Sequence, residues 1–202
     1  MLCHIKESNG MFVYMTNGKK ETMRFTTRQI TLAALIAAIY VVLTIAFILP
    51  IISFGMVQFR ISEALMLLAA LTPAAIPGLF IGCIIANLYG GFGLVDIAFG
   101  SIATLLAALV TYYGGRKIPA NLQKIKPFLL PIPTIVFNGI IVGGYLPFVV
   151  PEIREMASSL PLVLLISIGS VMIGELVVTY LIGIPLYLGV KKTKIFRSDE
   201  GL

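Results

Sequence analysis

Residues 57 to 71 read VQFRISEALMLLAAL, which sets Arg60 and Glu63 three positions apart at the head of an apolar run. On a helix the two charges share a face, and in hydrocarbon each would be costly. Gln58, Asn87, Tyr89, Asp96, Asn138, Tyr145 and Glu175 also fall in or beside apolar segments. Glu175 stands between IG and LVV with no basic residue in its own helix, so a proton or a ligand donor has to answer it. Taken singly, each residue has a structural reading: an Arg60–Glu63 ion pair at the interface, Asp96 as a helix cap, Asn87 and Asn138 bonding between helices. Taken together, three acids and one base leave charge to be matched, and such groups mark a ligand or ion path. A small, flat molecule rich in hydrogen-bond donors fits. A guanine-type edge offers two adjacent N–H donors to one carboxylate, an amide such as Asn87 or Asn138 serves the rest, and Phe54, Phe59, Phe92 or Tyr89 supplies a ring to stack on. This chemistry does not choose among heterocycles.

Other chemistries find little support. The two cysteines, Cys3 and Cys83, lie one in a polar tail and one in an apolar run, so neither a disulfide framework nor a metal cluster follows. The single histidine, His4, is in the same tail. No GxxxxGK[ST] loop and no HExxH helix occurs, so the chain itself does not hydrolyse ATP and no cofactor is expected.

The elements that must position these residues are membrane helices. Of 202 residues, 58% are hydrophobic and 12% charged, and apolar runs of about twenty residues, enough to cross a hydrocarbon core, recur along the chain. No alternating barrel pattern is present, so the class is all-α. The expected layout is a polar cytoplasmic tail over 1–27, a six-helix transmembrane domain over 28–190 and a basic cytoplasmic tail over 191–202. Met23, just ahead of RFTTRQITLAAL, is a second candidate start. The patterns predict helices over 28–49, from 60 to the TPAAIP stretch, 77–89, 96–113, 127–147 and 161–189, the last needing tilt or a kink near Pro185. The second and third are short, and short or interrupted segments are where membrane proteins build sites.

Six crossings put both termini on one side. Thirteen of the fifteen basic residues fall in the two tails and the GGRKIPANLQKIKP loop, which places that side in the cytoplasm and attributes the basic excess to orientation, not to nucleic acid. Arg60 and Arg154 are the exceptions. The polar set then gathers at the outer ends of the helices, with Asn138 and Glu175 deeper.

The first helix, TLAALIAAIYVVLT, carries two alanine pairs at spacing four, Ala33 with Ala37 and Ala34 with Ala38. Small residues at that spacing permit close helix contact. From spacing alone, internal packing and docking to a separate membrane protein are equally good readings.

This layout resembles the substrate-binding S component of an energy-coupling factor (ECF) transporter. Within that group, VQFRISEALMLLAALTPAAIPGLFIGCIIANLYGG, DIAFGSIATLLAAL, VFNG and GELVVTYLIGIPL resemble the QueT family, associated with queuosine precursors. The similarity covers roughly residues 28 to 190, and the run from 57 to 106 is its specific part. The resemblance implies a multi-pass subunit in a bacterial plasma membrane that binds a 7-deazaguanine, such as the aminomethyl precursor or queuine, at its outer face. It further implies an ECF transmembrane scaffold subunit, against which the first helix would ride through Ala33/Ala37 or Ala34/Ala38, and two cytoplasmic ATPase subunits that would use the ATP. On this reading Glu63 and Glu175 supply carboxylates, Asn87 and Asn138 read the heterocycle edge, and Asp96 matches a cationic substituent or anchors the outer loop. Arg60 would orient Glu63, Gln58 and Tyr89 would complete the site, and the loop PIISFGMVQF would close over the ligand.

Three rivals remain: an S component for another vitamin, a stand-alone proton-coupled permease with Glu175 as carrier, and an enzyme acting on lipid. The last fits least, because the acids are scattered over separate helices without a compact motif.

Overall fold

The helical part begins with a reciprocal cap. Thr26 Oγ1 accepts from the Gln29 backbone N–H at 3.3 Å while Gln29 Oε1 accepts from the Thr26 N–H at 3.1 Å. This capping box satisfies two end donors and starts α1, Thr27–Ala46. The computed structural model describes residues 12–16, 19–23, 26–46, 59–90, 93–155 and 157–193. Among these, five further helices follow: α2 (Ile61–Ala70), α3 (Ala75–Gly90), α4 (Gly93–Lys117), α5 (Lys126–Val149) and α6 (Leu160–Lys191). Single turns at Ala120–Leu122 and Pro151–Arg154 lie in the connections.

Four of these, α1, α4, α5 and α6, are long and apolar enough to cross a membrane. The other two are apolar but short, with 10 and 16 residues. The large exposed side chains are themselves apolar, as on Leu88, Leu165 and Leu181, which is the surface that lipid wets.

Proline and glycine set the boundaries. Pro73 separates α2 from α3, and Pro77 is tolerated within the first turns of α3, where its missing N–H costs nothing. Gly93 has φ of +83°, a left-handed turn that suits glycine and turns the chain into α4. At its other end α4 runs further than the GGRK pattern suggests. Gly114 and Gly115 stay helical, and Arg116 and Lys117 occupy the last turn, where positive charge offsets the exposed carbonyls.

Two irregularities were not visible in the sequence. The whole of α2 is a 3-10 helix, ten residues long and buried over Ser62–Ala69. Wide π turns interrupt the longer helices at Asp96–Gly100, Asn138–Val142 and Thr179–Gly183. The third lies just before Pro185, where a kink was expected, and widening the helix there accommodates a residue that cannot donate.

The core gathers Tyr40, Met66, Leu67, Leu79, Ala107 and Tyr187 around α2, with smaller residues where helices come closest. A Cβ on Gly78 would stand 2.6 Å from the Ala33 carbonyl oxygen, and one on Gly82 would stand 3.1 Å from that of Ala37. The two glycines, spaced by four, therefore let α3 lie directly on the Ala33/Ala37 face of α1. Ahead of the bundle, β1 (Phe12–Thr16) and β2 (Lys19–Met23) form an antiparallel ribbon with Phe12 opposite Met23. The expectation of helix alone thus holds for the described residues between 26 and 193 but not for this stretch of the tail. Its sequence places Asn-Gly directly after the β-rich run FVYMT, a hairpin signal the composition of the tail had masked.

Candidate functional site

Two adjoining polar groups occupy the interior. In the first, Arg60 Nη2 lies 3.3 Å from Asp96 Oδ1, and the Tyr145 hydroxyl donates to the same oxygen. Asn87 donates through Nδ2 to the Asp96 backbone carbonyl at 2.9 Å and approaches Cys83 Sγ at 3.5 Å. Asp96 is thus held by groups from α3, α5 and the residue preceding α2, and it opens the first π turn. Gly100 makes the room: a Cβ there would stand 2.7 Å from Asn87 Nδ2 and 3.2 Å from the Tyr145 oxygen.

In the second group, the Tyr40 hydroxyl of α1 donates to Glu63 Oε1 of α2. Asn138 Nδ2 of α5 donates to Glu175 Oε1 of α6 at 2.9 Å. Asn138 also lies within interaction range of Glu63, and the two carboxylates are electrostatic neighbours of each other and of Arg60, so the pairs form one cluster with the Arg60 charge at its edge. Asn138 opens the second π turn; Thr179, which opens the third, donates to the Glu175 carbonyl at 2.6 Å. Extra residues in a helix re-aim side chains, and such turns are frequent at functional sites.

Hydrogen-bond accounting leaves open acceptors in both groups, more of them in the second. Among the described residues, Glu63 Oε2, Glu175 Oε2 and Asn138 Oδ1 are buried with no partner. So are Asp96 Oδ2 and the hydroxyls of Ser101, Thr134 and Ser167. A buried polar atom without a partner is costly, so a cluster of residues with open acceptors is an arrangement suited to a ligand carrying several N–H donors. None of the described His, Cys, Asp and Glu residues forms a group of three that would hold a metal.

The expected site residues are therefore divided. Glu63, Asn138 and Glu175 come together; Arg60, Asn87 and Asp96 come together beside them. Arg60 makes its ion pair with Asp96 and not with Glu63, on which its charge acts without a hydrogen bond. It precedes the helix with extended backbone, φ −92° and ψ 92°, so the three-apart rule for helical faces does not apply and its side chain reaches Asp96. Tyr89 is 76% exposed, because two residues beyond inward-facing Asn87 a helix has turned through about 200°. Gln58, Phe54, Phe92 and nearly all of the loop at 50–59 lie outside the described residues. The alanine pairs also divide: Ala37 is buried against α3, whereas Ala34 and Ala38 are exposed. All four alanines nevertheless line, with Val41, Val42, Ile81 and Ile85, one apolar groove of about 830 Å³.

Sequence reasoning missed Tyr40, Thr44 and Ser62. A signal was available, since Ala33, Ala37, Tyr40 and Thr44 follow one another by four, three and four on the inward stripe of α1.

With this geometry in place, comparison with known proteins is informative. A relative, the queuosine precursor transporter QueT of Lactococcus lactis subsp. cremoris (strain MG1363), is 40% identical over 80 residues, or 40% of this chain. The aligned stretch is 47% of the relative, about half its length. No solved structure matches. The family model described as QueT transporter matches residues 30–192, which include both polar groups and all six helices apart from the first three residues of α1, and the chain belongs to that family.

Proposed function

We propose that this chain is the substrate-binding membrane subunit of an ECF-type uptake system and captures a queuosine precursor, a 7-deazaguanine such as the aminomethyl precursor or queuine. The observation that carries the reading is the meeting of Glu63, Asn138 and Glu175 with one unpartnered acceptor on each. The amino-pyrimidinone edge of a deazaguanine presents adjacent N–H donors to one carboxylate, and the remaining carboxylate and the Asn138 oxygen take further donors or a cationic substituent. The name of the Lactococcus relative supports this class of substrate.

The same reading has α2 and α3 completing six crossings with both termini in the cytoplasm of a bacterium, the polar tail at 1–27 and the basic one at 191–202 flanking the membrane domain, and ligand entering from outside. It assigns the Ala34/Ala38 groove to the transmembrane scaffold subunit, with two cytoplasmic ATPase subunits supplying the energy. No motif in this chain could do so.

The test is equilibrium binding to purified protein, with a panel of deazaguanines, riboflavin, thiamine and biotin. The expected result is saturable binding of deazaguanines alone. Selective binding of one of the vitamins would replace the substrate class. Uptake by this chain alone in liposomes under a pH gradient would instead make it a proton-coupled permease.

A further inference from the structure

We infer that Tyr40 is a positioning residue for the ligand: α1 contributes no acid to the site but sets the direction of Glu63. The inference rests on the reading that Glu63 faces a bound deazaguanine.

Tyr40 is 1% exposed and Glu63 is fully buried, so their hydrogen bond is shielded from water. A phenol donating to a carboxylate in such surroundings is among the stronger side-chain bonds. It occupies Oε1 and leaves Oε2 as the oxygen without a partner among the described residues. One turn further along α1, Thr44 Oγ1 lies 2.8 Å from both the Tyr40 carbonyl oxygen and Ser62 Oγ. A hydroxyl has one proton. If Thr44 gives its proton to the carbonyl, Ser62 supplies the proton of the second bond. Two consecutive residues of α2, Ser62 and Glu63, are thus tied to two positions of α1 one turn apart.

The ring of Tyr40 is held from the other side. A Cβ on Gly82 would stand only 2.9 Å from Tyr40 Cβ, so α3 is packed against the base of this side chain. Without the phenol hydroxyl, Glu63 loses its donor from α1, and the Asn138 amide remains within interaction range. The carboxylate would then turn toward Asn138 and away from the aim that presents Oε2 to the ligand.

The experiment is a double-mutant cycle read by calorimetric binding of 7-aminomethyl-7-deazaguanine, with thermal midpoints measured on ligand-free protein. Tyr40→Phe keeps the ring and removes the bond. It should weaken binding about 10- to 30-fold in the wild-type background and by less than about twofold when Glu63 is already Gln. Equal weakening in both backgrounds would show that Tyr40 acts through packing, and unchanged affinity of Tyr40→Phe would remove it from any role in binding. As a second arm, fluorotyrosines installed at position 40 alone vary the acidity of the hydroxyl at nearly constant size. Affinity should change progressively along that series, and a flat series overturns the proposal even if Tyr40→Phe does not fold. If the wild-type chain binds no deazaguanine, the substrate reading fails first and this one with it.

Discussion

The Arg60–Asp96 group and the Glu63–Glu175 group are neighbours built from similar residues, yet their charge arithmetic differs. Asp96 has a cation, a phenol and an amide arranged around it, from three parts of the chain. Glu63 and Glu175 share one amide and one phenol and, among the described residues, form no ion pair, the Arg60 charge acting on them only at longer range. The first arrangement matches its charge, leaving Asp96 Oδ2 as its one open acceptor, and ties the start of α2 to α3, α4 and α5. The second leaves acceptors uncommitted. A bundle in lipid spends matched polar groups on its own cohesion, and the unmatched ones are where a ligand gains most by arriving.

The contrast can be tested from its strongest consequence downward. Glu175→Gln keeps an acceptor for Asn138 but removes the charge; deazaguanine binding should fall about 100-fold, near 2.7 kcal/mol, while the thermal midpoint of ligand-free protein stays level or rises. A fall in midpoint as large as the loss of binding would place Glu175 with the cohesive group instead. Asp96→Ala should do the reverse. With Arg60 stripped of its partner, unfolding monitored by heat should show a loss of about 2 kcal/mol, below the value for fully buried pairs because the Arg60 side chain is 19% exposed. Replacing both Arg60 and Asp96 with apolar residues should recover much of that loss. Tyr145→Phe removes one donor of three and should cost about 1 kcal/mol in the same assay. Tyr89→Ala, on the exposed face of α3, should change neither binding nor stability by more than about 0.5 kcal/mol. A larger effect on binding would return Tyr89 to the site.

Much of this was legible before any coordinates. Apolar runs and prolines gave the helices to within a few residues, because hydrophobic length and a missing N–H act locally. Glu63, Asn138 and Glu175 stood out for the same reason: a polar side chain in such a run is conspicuous wherever it points. Pairing was less legible. Arg60 and Glu63 look like partners at spacing three, but whether they meet depends on the dihedral angles of Arg60, which its residue type does not determine. The π turns at Asp96 and Asn138 were likewise hidden, since they answer the packing of neighbouring helices and have no compositional mark. Tyr40 was passed over because a tyrosine in an apolar helix reads as bulk until a carboxylate is found at its hydroxyl.

The pitch of α2 bears on where Glu63 is held. At about 2.0 Å per residue its ten residues reach roughly 20 Å, where an ordinary α-helix would reach about 15 Å. The segment is therefore drawn out relative to an α-helix between Arg60 and Pro73, though well short of an extended chain. Relaxing it would shorten the span by about 5 Å and swing Glu63 about the axis, so its elongation is part of what keeps that carboxylate beside Asn138.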